Sequence, residues 1–125
     1  MLQGIEINAV VFFVKNLNRA VTFYRDTLGL STKLEQGNEG PYATAEAGKT
    51  LLVLIEREEQ VGKTPIIVFG LEGGIEDVVE GLANRGVEIV VPVSEAPSGG
   101  LTADFLDPDG HVISVYQPPG APARK

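Results

Sequence analysis

Apolar and polar positions follow two different periods along this chain, and the changes of period predict its elements. Residues 5–14 form an apolar run that is too short for a helix and rich in valine and phenylalanine, which indicates a buried strand. Apolar residues then recur at helical spacing, with Asn16 in the N-cap position and Gly29 where a left-handed C-terminal residue is expected. The stripe of this first helix consists of Leu17, Ala20, Val21, Tyr24 and Leu28.

Three short strands are predicted after this helix, at residues 30–35, 42–47 and 50–56. Turn-rich segments containing glycine and polar residues separate them. Residues 57–64 are charged, contain a glycine and show no periodicity, so they are the best candidate for a linker. The first half of the chain therefore follows the order strand, helix and three strands.

The same order begins again after the linker. Residues 66–71 predict an apolar strand, and a second helical stripe ends at Gly86. This stripe consists of Ile75, Val78, Val79, Leu82 and Ala83. Three more strands are predicted at residues 87–91, 101–106 and 111–116. The offset from Val14 to Leu71 equals that from Gly29 to Gly86, which indicates a tandem repeat.

The length of 125 residues is typical of a single domain. Its first module spans about residues 5–56, the linker 57–64 and the second module about 65–117. Residues 118–125 are rich in proline, glycine and alanine, so we expect a disordered tail unless a partner holds it. Two modules with one open sheet face each would leave a cleft, beside which the loop 94–100 is either a lid or, more commonly for its composition, a surface connection.

Composition and charge exclude several classes of function. The formal net charge is -7 without a basic stripe, so neither nucleic acid nor an anionic membrane is an expected partner. Without cysteine the chain has no disulfide or thiolate nucleophile, and with His111 as its single histidine it cannot build a metal site of two or three histidines. The sequence shows no signal peptide or membrane-spanning run, and we expect a soluble, cytoplasmic protein.

The most informative segment is a hairpin near the end of the repeat. Its turn is Asp107-Pro108-Asp109-Gly110, in which each residue type has a favoured turn position. The strand after the turn alternates, with Val112, Ser114 and Tyr116 on one face and Ile113 and Val115 on the other. One face must meet the core, so we expect any function on the face that carries a hydroxyl and a phenol.

Three stretches resemble a known family: Val-Lys-Asn-Leu at 14–17, Phe-Tyr-Arg-Asp-Thr-Leu-Gly-Leu at 23–30 and Asp-Pro-Asp-Gly-His at 107–111. They are similar to the vicinal oxygen chelate superfamily, which includes glyoxalase I, bleomycin resistance proteins, fosfomycin resistance proteins and extradiol dioxygenases. The resemblance implies an α+β fold of two tandem βαβββ modules that form a cupped mixed sheet with helices on the outside. It also implies a homodimer with a site in the cup.

The metal-dependent members of that superfamily use four ligand positions, two in each module. The resemblance places Ala9 and Ile66 at the first-strand positions, and Leu52 and Ser114 at the last-strand positions. None of these four side chains is a useful ligand for a divalent metal, because such sites use imidazole, carboxylate or thiolate. We therefore expect no metal and no other cofactor, and the usual glyoxalase or dioxygenase chemistry is disfavoured.

If alternation holds, a mainly apolar set of residues lines the cup: Ala9, Val11, Phe13, Leu52, Leu54, Ile66, Val68, Ser114 and Tyr116. The first hypothesis is a metal-free homodimer that binds or sequesters an apolar or aromatic small molecule. The second is an enzyme of the same superfamily that moves a proton with Glu56, Tyr116 or Asp104, or recruits a metal through residues shifted in register. The third is an interaction module whose cup is packed shut.

Two polar residues carry weaker functional signals. Glu56 would share the face of Leu52 and Leu54 and could be a lone cleft carboxylate, although a solvated strand end is the commoner role. His111 follows the turn glycine and points opposite to Ser114, so a structural or solvated role is favoured over metal binding or catalysis. The residues alone assign no catalytic side chain.

Overall fold

A computed structural model describes Leu2 and residues 4–124, apart from the side chain of residue 61. The order of strand, helix and three strands occurs twice, which confirms the predicted α+β fold of tandem βαβββ modules. The first set is β1 (Glu6–Val14), α1 (Leu17–Thr22) with a π-helical extension (Phe23–Thr27), β2 (Thr32–Gly37), β3 (Gly40–Ala47) and β4 (Thr50–Glu56). A 3-10 helix (Glu58–Lys63) precedes β5 (Ile66–Gly70), α2 (Ile75–Asn84), β6 (Ile89–Glu95), β7 (Leu101–Leu106) and β8 (Val112–Gln117).

By its internal contacts the chain divides into two compact units. The first unit is Asn8–Ile66, and the second comprises the chain from Ile67 onward together with the described residues before Asn8. In the first unit the strands lie in the order β2-β3-β4-β1, with β1 and β4 parallel and the other pairs antiparallel. The second unit has the order β5-β8-β7-β6, with β5 and β8 parallel. The strands of each unit therefore form a mixed arrangement, in which the first and last strands along the chain are a parallel pair.

One helix covers one sheet face of each unit. In the first unit Leu17 and Val21 of α1 pack on Ala43 and Leu54, and all four are buried. In the second unit α2 and the loop before it pack on the sheet through a buried cluster of Leu71, Ile75, Ala103, Phe105 and Val115. The residues that alternate with these sheet residues lie on the opposite face of each sheet.

The start of each helix is hydrogen-bonded to the last residue of the final strand in its own module. The N–H of Leu17 donates to Glu56 Oε2 at 2.9 Å, and the N–H of Ile75 donates to Gln117 Oε1 at 3.0 Å. Asn16 adds the predicted N-cap, accepting from the N–H of Arg19 at 2.9 Å. These bonds satisfy helix N–H groups that have no partner within the helix.

The stripe of the first helix ends earlier than its spacing predicts. After Thr22 the chain widens into a π-helix, in which the N–H of Leu28 donates to the carbonyl of Phe23 five residues back. This wider turn rotates later residues off the stripe, so Leu28 is 50% exposed instead of buried. Gly29 has φ of 74° and ends the segment in the left-handed conformation that the sequence predicted.

The segment after β8 is ordered by the second helix, which differs from the disordered tail expected from its composition. The carbonyls of Pro122 and Ala123 accept from the N–H groups of Gly74 and Glu76, at 2.7 and 3.0 Å. Gln117 Nε2 donates to the carbonyl of Ala121 at 3.1 Å. The composition of this segment shows that it has no apolar stripe. That its carbonyl groups accept hydrogen bonds from N–H groups at the start of α2 can be seen only in the fold.

Element boundaries shift in two further places. β6 continues to Glu95, so the connection expected at residues 94–100 is a tighter loop, closed by the N–H of Ala96 donating to the carbonyl of Gly100 at 3.1 Å. The charged linker contains the 3-10 helix. Within the described residues, no helix is both long enough and apolar enough to cross a membrane.

Two leucines of β4 provide a test of these faces. Leu54 is fully buried against α1, whereas Leu51 is 36% exposed on the other face. We expect Leu54→Ala to lower the free energy of unfolding by about 2–5 kcal/mol, because it leaves a cavity in the core. Leu51→Ala should cost about 1 kcal/mol or less in the same urea titration. Equal losses for the two variants would contradict the β4 register.

The Glu56 carboxylate provides a test of the helix start. Glu56→Ala leaves the N–H of Leu17 without its acceptor, so we expect a loss of about 1 kcal/mol in the free energy of unfolding. Glu56→Gln retains a side-chain oxygen and should lose less than about 0.5 kcal/mol. Thermal unfolding followed by circular dichroism measures both variants, and an alanine variant as stable as the parent would exclude the capping role.

Candidate functional site

Polar side chains lie together on the sheet face of the second unit that α2 does not cover, which we call its uncovered face. β5 and β8 pair in parallel with Val68 beside Ser114, and β7 and β8 pair antiparallel with Asp104 beside Ser114 and Thr102 beside Tyr116. Their sequence neighbours pack with α2, so these five residues lie on the opposite face. We call this set, Val68, Thr102, Asp104, Ser114 and Tyr116, the Ser114 face.

Two hydroxyl groups are central to the Ser114 face. Thr102 Oγ1 lies 3.1 Å from Ser114 Oγ and can also donate to the carbonyl of Val115 at 3.1 Å. Ser114 Oγ can donate to the carbonyl of Ala103 at 3.2 Å, and its hydroxyl lies beside the Asp104 carboxyl group, whose pKa it acts to lower. Each hydroxyl has only one proton, so these acceptors compete for two donors. A ligand that brings its own donor would relieve that competition.

Asp104 is the titratable group of this face. It is partly buried, and burial raises the pKa of its carboxyl group, while the Ser114 hydrogen bond acts in the opposite direction. A carboxyl group in this position donates a hydrogen bond when protonated and accepts a proton when ionised. Among the described residues, no group of three histidine, cysteine, aspartate or glutamate side chains is arranged to hold a metal ion.

Tyr116 approaches the loop between β6 and β7 at Gly100. Gly100 has φ of 75°, and a Cβ atom on it would lie 3.0 Å from the Tyr116 hydroxyl oxygen and still closer to the carbonyl oxygen of Gln117. A side chain at residue 100 would therefore collide with the backbone and crowd the phenol. The loop end of the Ser114 face depends on this glycine.

Several sequence-predicted site residues lie on the uncovered faces. Ser114 is 5% and Val68 8% exposed, and Tyr116 is partly buried. Ile66 begins β5 and shares the face of Val68 by alternation. In the first unit Ala9, Val11 and Phe13 lie on the face of β1 opposite α1, since Phe12 and Val14 pack with the helix. These positions agree with the predicted orientation, whereas a ligand-binding role stays a prediction.

Leu52 and Leu54 are corrected by the structure. The parallel register places Phe12 beside Leu54 and Val10 beside Leu52, so both leucines lie on the α1 side, and Leu54 is fully buried there. Residue patterns alone define no register between β1 and β4, and an error of one residue exchanges the faces of a strand. The uncovered face of β4 carries its alternate residues instead: Leu51, Val53 and Ile55.

This correction also moves one of the four ligand positions. Ser114 pairs with Val68, and the equivalent pair in the first unit is Val11 with Val53. The first-unit counterpart of Ser114 is therefore Val53, not Leu52. The four positions then hold Ala9, Val53, Ile66 and Ser114, three hydrocarbons and one alcohol, which is a poor donor set for a divalent metal.

Glu56 and His111 have structural partners. Glu56 accepts from the N–H of Leu17 on the helix side of the sheet, so it does not lie on the uncovered face. The exposed His111 places Nδ1 3.0 Å from Asp107 Oδ2, and Asp107 Oδ1 accepts from the N–H groups of Asp109 and His111. These bonds, first of all the one from the His111 backbone, lower the pKa of Asp107. His111 thus belongs to the turn.

Thr102 is the residue of the Ser114 face that the sequence did not single out. The turn sequence did not contain this signal, because counting back from a four-residue turn at 107–110 pairs residue 103 with residue 114, whereas the observed pairing of 104 with 114 and 102 with 116 adds His111 to the turn as a fifth residue. A difference of one residue in register exchanges the faces of β7, so the fold was needed to place Thr102 and Asp104 beside Ser114.

Asp104 generates a prediction about pH. Because its pKa is raised in the folded state, the folded state loses relative stability as the pH rises through the carboxyl range. Asp104→Asn stays neutral, so its melting temperature relative to the parent should rise from about pH 4 to about pH 7. If the difference in melting temperature between parent and variant stayed the same across this pH range, the raised pKa of Asp104 would be contradicted.

Asp107→Asn is the matched control, with the opposite sign. The pKa of Asp107 is lowered in the folded state, so its stabilising contribution is present above the ordinary carboxyl pKa and is lost as the pH falls through the lowered value. This variant should be less stable than the parent near pH 7, and the difference should shrink toward about pH 3. Both series use thermal unfolding in one buffer system.

Comparison with known proteins gives a family match and several structural matches. Residues 6–115 match the family model of the Glyoxalase/Bleomycin resistance protein/Dioxygenase superfamily. A hypothetical protein from Bacillus halodurans, BH1468, has a TM-score of 0.78 and 16% identity, with 92% of this chain and 95% of that chain covered.

Two further matches are methylmalonyl-CoA epimerases. The Mycobacterium tuberculosis enzyme has a TM-score of 0.74 and 16% identity, with 94% of this chain and 93% of that chain covered. The Streptomyces coelicolor enzyme, a single-residue variant in complex with 2-nitronate-propionyl-CoA, has a TM-score of 0.73 and 21% identity, with 93% of this chain and 96% of that chain covered. Identities this low show a shared fold.

Proposed function

This chain belongs to the Glyoxalase/Bleomycin resistance protein/Dioxygenase superfamily, and on that premise we propose that it binds a small molecule on the Ser114 face without a metal ion. The ligand has an apolar or aromatic body and at least one hydrogen-bonding group. The observation that carries the proposal is the partly buried Asp104 carboxyl beside the Ser114 hydroxyl on a sheet face that α2 does not cover.

The chemistry of this face favours a ligand with both polar and apolar parts. Val68 supplies an apolar surface directly beside Ser114, and Tyr116 supplies a phenol on the same strand. A ligand donor can bind the Asp104 carboxylate, because the single proton of the neighbouring Ser114 hydroxyl also has Thr102 Oγ1 and the Ala103 carbonyl within hydrogen-bond distance. Small-molecule sites commonly combine a mainly apolar wall with a few such polar groups.

The absence of a metal in this proposal rests on the donor set. The family resemblance implies ligand positions at Ala9, Leu52, Ile66 and Ser114, and the β1–β4 register replaces Leu52 with Val53. A divalent metal bound through these side chains would keep most of its water ligands and gain little from the protein. Metal analysis of protein purified without chelator tests this part, and a stoichiometric transition metal would overturn it.

The proposed assembly is a homodimer in the cytoplasm. Both parts derive from the family resemblance and the sequence composition, and neither alters the residues of the Ser114 face. Sedimentation equilibrium measures the oligomeric state directly. A monomer at all accessible concentrations would remove the dimer and leave the ligand proposal intact.

A second candidate function is an enzyme that moves a proton, and Asp104 is the observation that favours it. A raised carboxyl pKa brings a group closer to the range in which it exchanges protons at neutral pH. The structural neighbours include methylmalonyl-CoA epimerases, and epimerases are enzymes that invert a stereocentre. In this alternative Asp104 is the acid or base and Tyr116 a hydrogen-bond donor, while Glu56 is committed to the α1 start.

A ligand screen tests the first candidate. Aromatic compounds and natural-product antibiotics are added to the protein, and melting temperature is measured. A ligand present at about 100 times its dissociation constant should add about 2.7 kcal/mol to the free energy of unfolding. For a hit, Asp104→Asn and Ser114→Ala should each weaken binding about tenfold, because each removes a buried polar partner.

The matched control is Asp109→Asn, which removes a carboxylate from the exposed turn of the same hairpin. It should leave the affinity of the hit unchanged. If neither Asp104→Asn nor Ser114→Ala changed the affinity of a hit, its binding site would lie away from the Ser114 face. Incubation of each hit in D2O separates the two functions, since incorporation of deuterium that Asp104→Asn abolishes would favour the proton-moving enzyme over a binding protein.

A further inference from the structure

Apart from the Ser114 face, the first unit has a concave region where β1 ends and α1 begins. Its volume is about 510 Å³, and it is open on one side. The residues that line it include Phe13, Val14, Lys15, Arg19, Ala20 and Phe23. This volume is within the range of sites that bind small molecules. The region shares no residue with the Ser114 face.

Most of this lining is apolar. The π-helical turn of the backbone accounts for the exposure of one of its aromatic rings, that of Phe23. Phe23 is 48% exposed, because the helix widens into its π-helical turn at this residue. Its ring packs edge-on against Tyr24 with centroids 5.3 Å apart, which restricts its motion. Phe13 lies under the Arg57 guanidinium, 5.3 Å from its ring centroid, and its N–H donates to Thr64 Oγ1 at 3.3 Å. Two aromatic rings are therefore held at the opening.

Two cations stand at the same opening. Over the described residues, neither Lys15 nor Arg19 forms a salt bridge, which is also true of Lys33, Lys49, Lys63 and Arg85, but Lys15 and Arg19 are the cations that line the hollow. The chain has a formal net charge of -7, so two unpaired cations beside an apolar hollow stand out from the surrounding charge. Such a combination attracts an anion that also has an apolar part.

Two of the backbone N–H groups at this point already have acceptors. Asn16 accepts from the N–H of Arg19, and Glu56 accepts from the N–H of Leu17. We therefore assign the binding of an incoming anion to the side chains of Lys15 and Arg19. The Glu56 carboxylate beside the helix start also penalises a doubly charged anion more than a singly charged one.

We propose that this region is a second binding site, specific for a small monoanionic carboxylate with an aliphatic or aromatic body. The carboxylate pairs with Arg19 and Lys15, and the body lies against Phe13, Ala20 and Phe23. Arg19 can bind a carboxylate through two N–H groups, which fixes the orientation of the ligand. This site extends beyond the function proposed for the Ser114 face and does not depend on it.

Titrations followed by two-dimensional amide NMR test the site. The probes are sodium octanoate and sodium benzoate, with octanamide as the uncharged analogue and inorganic phosphate as the charge without an apolar body. We expect the two carboxylates to shift amide signals at residues 13–23, and octanamide and phosphate to bind at least about fivefold more weakly. Added salt should weaken octanoate binding, because the charged groups are exposed.

Variants at two arginines of the same helical segment sharpen the test. Arg19→Met keeps an apolar stem without the charge, and it should weaken octanoate binding about fivefold, whereas Arg19→Lys should recover only part of the loss, because lysine keeps the charge without the paired N–H groups. Arg25→Met is the matched control: Arg25 is exposed, pairs with Asp26 and does not line the hollow. It should leave octanoate binding unchanged. Melting temperatures verify that all three variants fold.

Three results would overturn this site. The first is the absence of octanoate and benzoate binding up to about 10 mM, a concentration at which even a weak site would be occupied. The second is equal binding of octanamide, and the third is an equal loss in Arg19→Met and Arg25→Met. Asp104→Asn should not alter octanoate binding, so failure of this site and failure of the Ser114 face give different results.

Discussion

The parallel pairing of the first and last strands in each module is the constraint from which the other features follow. It fixes which residues stand side by side, and with a side-chain period of two it assigns every residue of the pair to the helix face or the uncovered face. It also brings the end of the last strand to the start of the helix. Glu56 and Gln117 can therefore accept from the first helical turn in their own units.

The two modules use this shared geometry differently. In the first, the uncovered face of the parallel pair carries hydrocarbon at Val11 and Val53, and the polar groups gather instead at the strand ends, around Glu56 and Arg19. In the second, Ser114 replaces the hydrocarbon, and Asp104 and Thr102 stand next to it. A duplicated scaffold has thus placed its polar chemistry at two separate points.

Buried and half-buried polar groups show where the fold accepts an energetic cost. Gln117 is almost fully buried, yet both ends of its amide are bonded, so it stabilises the α2 start and the segment that follows β8. Asp104 is partly buried beside a hydroxyl whose proton is shared, and burial raises its pKa. A buried amide with both ends bonded is typical of a structural role, whereas a partly buried carboxyl group with a raised pKa is typical of a functional site.

Sequence patterns were enough to predict the order of the elements, the repeat, the Asn16 cap, the Gly29 terminus and the 107–110 turn, because each depends on neighbours within a few residues. It also placed Ser114 and Tyr116 on one face and Ile113 and Val115 on the other, since side chains alternate along a strand. The fold was needed to assign the faces of Leu52 and Leu54, the role of Glu56 and the contacts of the segment after β8. Each of these depends on a partner distant in sequence, and a register across a parallel pair has no turn to set it.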